Sequence, residues 1–132
     1  MALYVPIPLE VPIKCSLSDI IRLSSDGRRV VAYFFVPHDD NKALKVVFEN
    51  IYVMRMCDEH VLNLEDYPNR EGLVGENFLY RMERADFLLN QPAVKQSYEE
   101  DHHFRCVTGS TCLDVIADEP PAVTMVPREN AA

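Results

Sequence analysis

At 132 residues and 15.1 kDa the chain predicts a single domain, 1–132, with 48% hydrophobic and 26% charged side chains in globular proportion. That composition excludes a wholly disordered chain and a fibrous repeat. The 21 acidic against 13 basic side chains give a net charge of −8, which argues against nucleic acid or an anionic membrane as the main partner, since both reward clustered Lys and Arg.

Residues 1–12 carry Pro6, Pro8 and Pro12 among Val5, Ile7, Leu9 and Val11. Proline cannot donate to a ladder, so this segment reads as an extended arm lying over a sheet or along its edge. It holds Glu10 and no basic residue, which is not the pattern of a signal peptide. No apolar run approaches the ~18 residues of a membrane span. The four cysteines, Cys15, Cys57, Cys106 and Cys112, show no C-x-x-C pair. They read as reduced thiols packed as small hydrophobes in a cytoplasmic protein.

Ser16 and Asp19 are spaced to cap a short helix over Leu17, Ile20 and Ile21. Asp26-Gly27, just ahead of an apolar run, is instead a hairpin signal and favours a strand over residues 20–24. Residues 30–36 are β-branched or aromatic on both parities, the pattern of a central strand covered on both faces. After the polar turn at 37–42, Leu44, Val46 and Phe48 alternate as the return strand of a hairpin, and Asn50 marks a bulge before residues 51–56. Residues 57–77 read as a long loop and 78–82 as a short strand. Residues 83–90 suit one or two helical turns with Phe87 and Leu88 or Leu89 inward, and Pro92 opens a second short helix through Glu99.

Thr108-Gly109-Ser110-Thr111 sets the register of a second hairpin. Cys106/Leu113, Phe104/Val115 and His102/Ala117 then share an apolar face. Arg105 falls opposite Asp114 on the other face, as an exposed ion pair worth ~0.2–1 kcal/mol. Residues 123–126 form a last edge strand and 127–132 a frayed tail. The fold class expected is α+β: mostly antiparallel sheet, as a small β-sandwich or open barrel of six or seven strands, with one or two short helices near 84–99. Its core should include Val30, Ala32, Phe34, Val46, Phe48, Val53, Phe104, Val115 and Ile116.

Candidate chemistry is sparse. His102 and His103 are adjacent, so on a strand they point to opposite faces and cannot share one metal ion. Cys57, Asp58, Glu59 and His60 offer a thiol, carboxylates and an imidazole, but neighbouring carboxylates oppose thiolate formation. The 108–111 turn lacks the lysine and helix of a phosphate loop. No catalytic residue, metal ligand or cofactor site is therefore assigned, and no cofactor is expected.

Charge asymmetry is more informative. Residues 1–57 hold seven basic and six acidic side chains, net +1, whereas residues 58–132 hold six and fifteen, net −9. Residues 58–75 lack helical or strand periodicity and carry Asp58, Glu59, Glu65, Asp66 and Glu71 against Arg70, with Tyr67 and Leu73 as apolar anchors. Asp58, Glu59, Glu65, Asp66, Tyr67 and Glu71 are accordingly the candidate partner-binding residues, suited to a basic protein.

The stretch 44–56, with its strand ending in Phe48, kink and second apolar strand, together with His103-Phe104 and the strand 113–117, resembles small bacterial β-rich domains. Some of these accompany polymorphic toxins as immunity proteins. The resemblance implies a toxin-like basic protein partner and carries over no site residue. Non-enzymatic protein binding is thus the leading expectation. Two alternatives stand beside it: a small hydrolase or metal-dependent enzyme using His60, His102 or His103 with nearby carboxylates, and a structural homodimer formed through a strand edge.

Overall fold

A computed structural model describes residues 2–10, 12–66, 70–89 and 102–131. The described residues form nine strands and two short helices in the order β1 (Leu3–Pro6), β2 (Ile20–Ser25), β3 (Val30–Phe35), β4 (Lys42–Phe48), β5 (Ile51–Asp58), α1 (Glu59–Glu65), β6 (Leu79–Glu83), α2 (Asp86–Leu89), β7 (His103–Cys106), β8 (Thr111–Ala117) and β9 (Ala122–Pro127). One sheet runs β1-β6-β7-β8-β5 and the other β2-β3-β4-β9, with every strand pairing antiparallel. The α+β class expected from sequence therefore holds. The architecture is two packed sheets and not a closed barrel.

Strand alternation builds the core between the sheets. Val30, Ala32, Phe34, Val46 and Phe48 from the four-stranded sheet meet Leu79, Phe104, Cys106, Leu113 and Val115 from the five-stranded one. Phe48 packs on Phe104 across the interface with ring centroids 6.2 Å apart. Asp26-Gly27 turns the β2–β3 hairpin as its sequence predicts: Gly27 takes φ +94°, and the Asp26 carboxylate accepts from the amides of Arg28 and Arg29. The arm is partly strand, since β1 pairs with β6 along the sheet edge and places Pro6 opposite Tyr80.

Several expectations are corrected. Asn50 is no bulge but a left-handed corner, φ +53°, at which the chain leaves β4 in one sheet for β5 in the other. The register shift falls one step later, between Ile51 and Val53. Strand β3 is covered fully on one face only, with Val31, Tyr33 and Phe35 half-buried on the other. It is β7 that is buried throughout and β8 at every residue after Thr111. The tail is not frayed: Arg128–Ala131 forms a 3-10 turn, Ala131 is buried, and the Arg128 guanidinium stacks on Phe35, 4.2 Å from the ring centroid. Val53 is half-buried against Phe87 and Ile116, outside the main core. The helix expected from Pro92 to Glu99 and the side chains of Leu88 and Leu89 lie outside the described residues.

The 57–77 loop also contains α1. Asp58 caps it by accepting from the His60 amide at 2.8 Å, and Leu62 is its one buried residue. Helix α1 lies over β5 on the face of the five-stranded sheet turned away from the other sheet. That placement decides where the polar chemistry of the protein sits.

Candidate functional site

Alternation along β7 and β8 turns Phe104, Cys106, Leu113 and Val115 into the core. By the same parity His103, Arg105, Cys112, Asp114 and Ile116 project to the outer face. Phe87 of α2 and Leu62 of α1 help cover that face. Beneath this cover lies a ladder of charges. Arg105 stands opposite Asp114, as the sequence register predicts. The pair is buried, however, not exposed, because the helices roof the sheet.

Asp114 is the hub. Its Oδ1 accepts from Arg105 Nε and His103 Nε2, both at 2.7 Å, and its Oδ2 accepts from Arg55 Nη2 at 2.7 Å. Arg55 reaches on to Glu65 of α1 through two bonds of 2.6 and 2.9 Å, a fork-to-carboxylate pair that ties the helix to the sheet. The other end of Arg105 donates to Tyr4 Oη at 3.0 Å and to Asp66 Oδ2 at 3.1 Å. Tyr4 donates in turn to Asp66 and accepts from Arg70 Nε at 3.1 Å. Three guanidinium groups and three carboxylates therefore balance in one connected network.

The balance shows in the titration of each group. Burial alone would raise the Asp114 carboxyl, but Arg105 and the His103 bond hold it well below the usual carboxylate range. Burial pushes the His103 imidazole down despite its carboxylate partner. Its Nε2–H is directed at the Asp114 carboxylate. Burial also pushes the Tyr4 phenol up to about 12, against the opposing pull of Arg105. A buried network of interlocked ion pairs and hydrogen bonds is suited to fixing geometry.

The candidate residues separate into two sets. Asp66 is buried in the network and Glu65 is half-buried on Arg55. Asp58, Glu71 and the neighbouring Glu76 are exposed, and Glu59 is half-exposed, 3.8 Å from Arg70. Tyr67 lies outside the described residues. Asp58, Glu59 and Glu76 gather at one end of the sandwich, whereas Glu71 lies along the sheet edge beside Leu3 and Tyr4. Glu59 N donates to Ser110 O in the β7–β8 turn, Gly109 N donates to Ser18 O, and Cys15 and Ile13 donate to Gly75 and Glu76. Leu17 (51% exposed) and Val74 (46%) share this end. Lys14 is exposed next to Cys15, and Arg70 is turned inward over the Tyr4 ring.

The histidines do not converge. His103 is closed off under Phe87, His102 donates to Ala117 O at 3.0 Å, and His60 sits exposed on α1. Among the described residues no three His, Cys, Asp or Glu side chains are grouped as metal ligands. All four cysteines are free, and burial pushes the thiols of Cys57 and Cys106 up and that of Cys112 up to about 12.

Tyr4, Arg55 and Arg70 belong to the network, and sequence reasoning missed all three as members of it. Arg55 had a signal: it is the single charge in the apolar stretch 51–57, on the parity of Val53 and Cys57, where a charge needs a buried partner. No family model, curated protein or solved structure matches this chain. Among the described residues no helix is long and apolar enough to cross a membrane.

Proposed function

We propose that this chain is a non-enzymatic protein-binding domain that engages a basic protein through its acidic end, in the manner of an immunity protein neutralising a toxin. The observation that carries the reading is the sorting of its acids. Glu65, Asp66 and Asp114 are neutralised internally by arginine, while Asp58, Glu59 and Glu76 face outward at the end that also exposes Leu17 and Val74. Rim carboxylates set the rate and salt dependence of encounter with a basic surface, and the apolar pair supplies burial once docked. The free cysteines accord with a cytoplasmic setting.

The test is salt-dependent retention. Immobilised protein is exposed to a soluble extract of its own cells, alongside an Asp58→Asn/Glu59→Gln/Glu76→Gln variant. A basic protein should be held by the parent and released from the variant at lower salt. Retention unaffected by the three substitutions rejects the acidic end as the binding surface.

A second reading, self-association, is favoured by β5. It is eight residues long, contains no proline, and among the described residues has no strand on its far side. Concentration-dependent mass by light scattering, abolished by Met56→Lys, would support it.

A further inference from the structure

Cys57 and Cys112 are 55 positions apart in the chain and directly opposite each other in the β5–β8 ladder. Directly opposed residues of an antiparallel pair share a face, with Cα atoms about 4.5–5.5 Å apart. That separation lies inside the roughly 4.4–6.8 Å window in which a disulfide closes without moving the backbone. Both thiols belong to the outer face, Cys112 within the cluster formed by Tyr4, Leu62, Tyr80 and Met82, and Cys57 packed against it. The other two cysteines are placed differently: Cys106 projects into the inter-sheet core, and Cys15 lies in the 3-10 turn Cys15–Leu17.

We infer that Cys57 and Cys112 are an oxidisable pair, joined as an intrachain disulfide when the protein meets a low-molecular-weight disulfide. Cys57 is the half-exposed partner and the point of entry, whereas Cys112 is buried. The Cys57 thiolate attacks one sulfur of the small disulfide, giving a mixed disulfide and one released thiolate. The Cys112 thiolate then attacks Cys57 Sγ, forming the protein S–S bond and releasing the second small thiolate. The two protein protons pass to the released thiolates. Two electrons move from the cysteine pair to the small disulfide, which leaves as two thiols.

The consequence is local and mechanical. Cys57 immediately precedes Asp58, the cap of α1. The new bond therefore fastens the start of that helix to β8, beside the buried charges that α1 covers. A crosslink closing a loop of this length also restricts the unfolded chain.

The folded protein is incubated with oxidised glutathione at mildly alkaline pH, unfolded, alkylated and weighed intact. Two thiols, not four, should remain alkylatable, with no glutathione retained, and peptide mapping should join the segments containing residues 57 and 112. The melting temperature should rise by about 5–15 °C and return on reduction. Cys15→Ser should leave the reaction intact, while Cys57→Ser and Cys112→Ser should each abolish the intrachain bond. The inference is overturned if glutathione stays on Cys57 with Cys112 still alkylatable, if another pair or two chains become linked, or if all four thiols survive prolonged exposure. Mapping on the parent protein decides the matter even where a serine variant fails to fold.

Discussion

Arg105 and Asp114 meet across two strands with neither side chain reaching water, and that placement changes what the pair does. On a wet face it would contribute a few tenths of a kcal/mol. Under a roof, removal of either partner leaves the other charge buried and uncompensated, which costs about 3–5 kcal/mol. Urea denaturation should register that loss for Arg105→Ala and for Asp114→Ala, with the double variant losing clearly less than the sum. His103 makes the same site sensitive to acid. Its folded pKa lies below the 6.5 of an ordinary histidine, so below about pH 6.5 the unfolded chain takes up a proton that the folded chain refuses. Stability is full above that value and falls as the pH drops beneath it. Asp114 adds nothing in this interval, because its contribution persists above pH 3.8 and is lost only in stronger acid. Denaturation midpoints at about pH 7.5 and pH 5 should therefore differ for the parent and converge for His103→Gln.

Helix α1 is too short to exist alone, since isolated helices below about 12 residues are marginal in water. The contacts that hold it include the Asp58 cap, the Glu59 amide on Ser110 O, Leu62 packed beneath it, Asn63 accepting from Arg70, and Glu65 clasped by Arg55. Leu62 is completely buried, so Leu62→Ala should lose about 2–4 kcal/mol. Amide exchange of Glu59–Glu65 should accelerate before that of β8. Residues 70–72 pack closely against β1. Gly72 adopts φ +88°, and a Cβ there would lie 1.9 Å from the Tyr4 carbonyl. No other side chain fits where this loop passes β1, and the fit places Arg70 over the Tyr4 ring.

Across the whole molecule, a net charge of −8 is not spread evenly between inside and outside. The carboxylates of Glu65, Asp66 and Asp114 are tied into the buried network, and those of Asp58, Glu71 and Glu76 are exposed. Thermal denaturation separates the two sets. Glu71→Gln/Glu76→Gln should shift stability by no more than about 0.5 kcal/mol, as exposed substitutions do. Asp66→Asn should lower it by about 1–3 kcal/mol, because Arg105 and Tyr4 lose an ionised partner. Similar losses from both variants would contradict the division.

Local pattern alone determined most strands of this protein. Period-two alternation, Asp26-Gly27, the polar 37–42 turn and the 108–111 turn specify three hairpins, and the last sets Arg105 opposite Asp114 without any knowledge of the fold. These signals are legible because strand parity and turn geometry act between neighbours in the chain. Whether the Arg105–Asp114 face is wet or dry was decided elsewhere, by a helix whose seven residues bury a single leucine and so leave almost no amphipathic stripe to read. For the same reason the acids of residues 58–75 look alike in sequence. Only the tertiary structure brings Arg55, Arg70 and Tyr4 to Glu65 and Asp66 and leaves Glu71 facing outward. Tyr4 and Arg105 are separated by 101 positions, and no local rule links them. Their contact exists because β1 closes the edge of a sheet whose order, β1-β6-β7-β8-β5, is set by long-range packing.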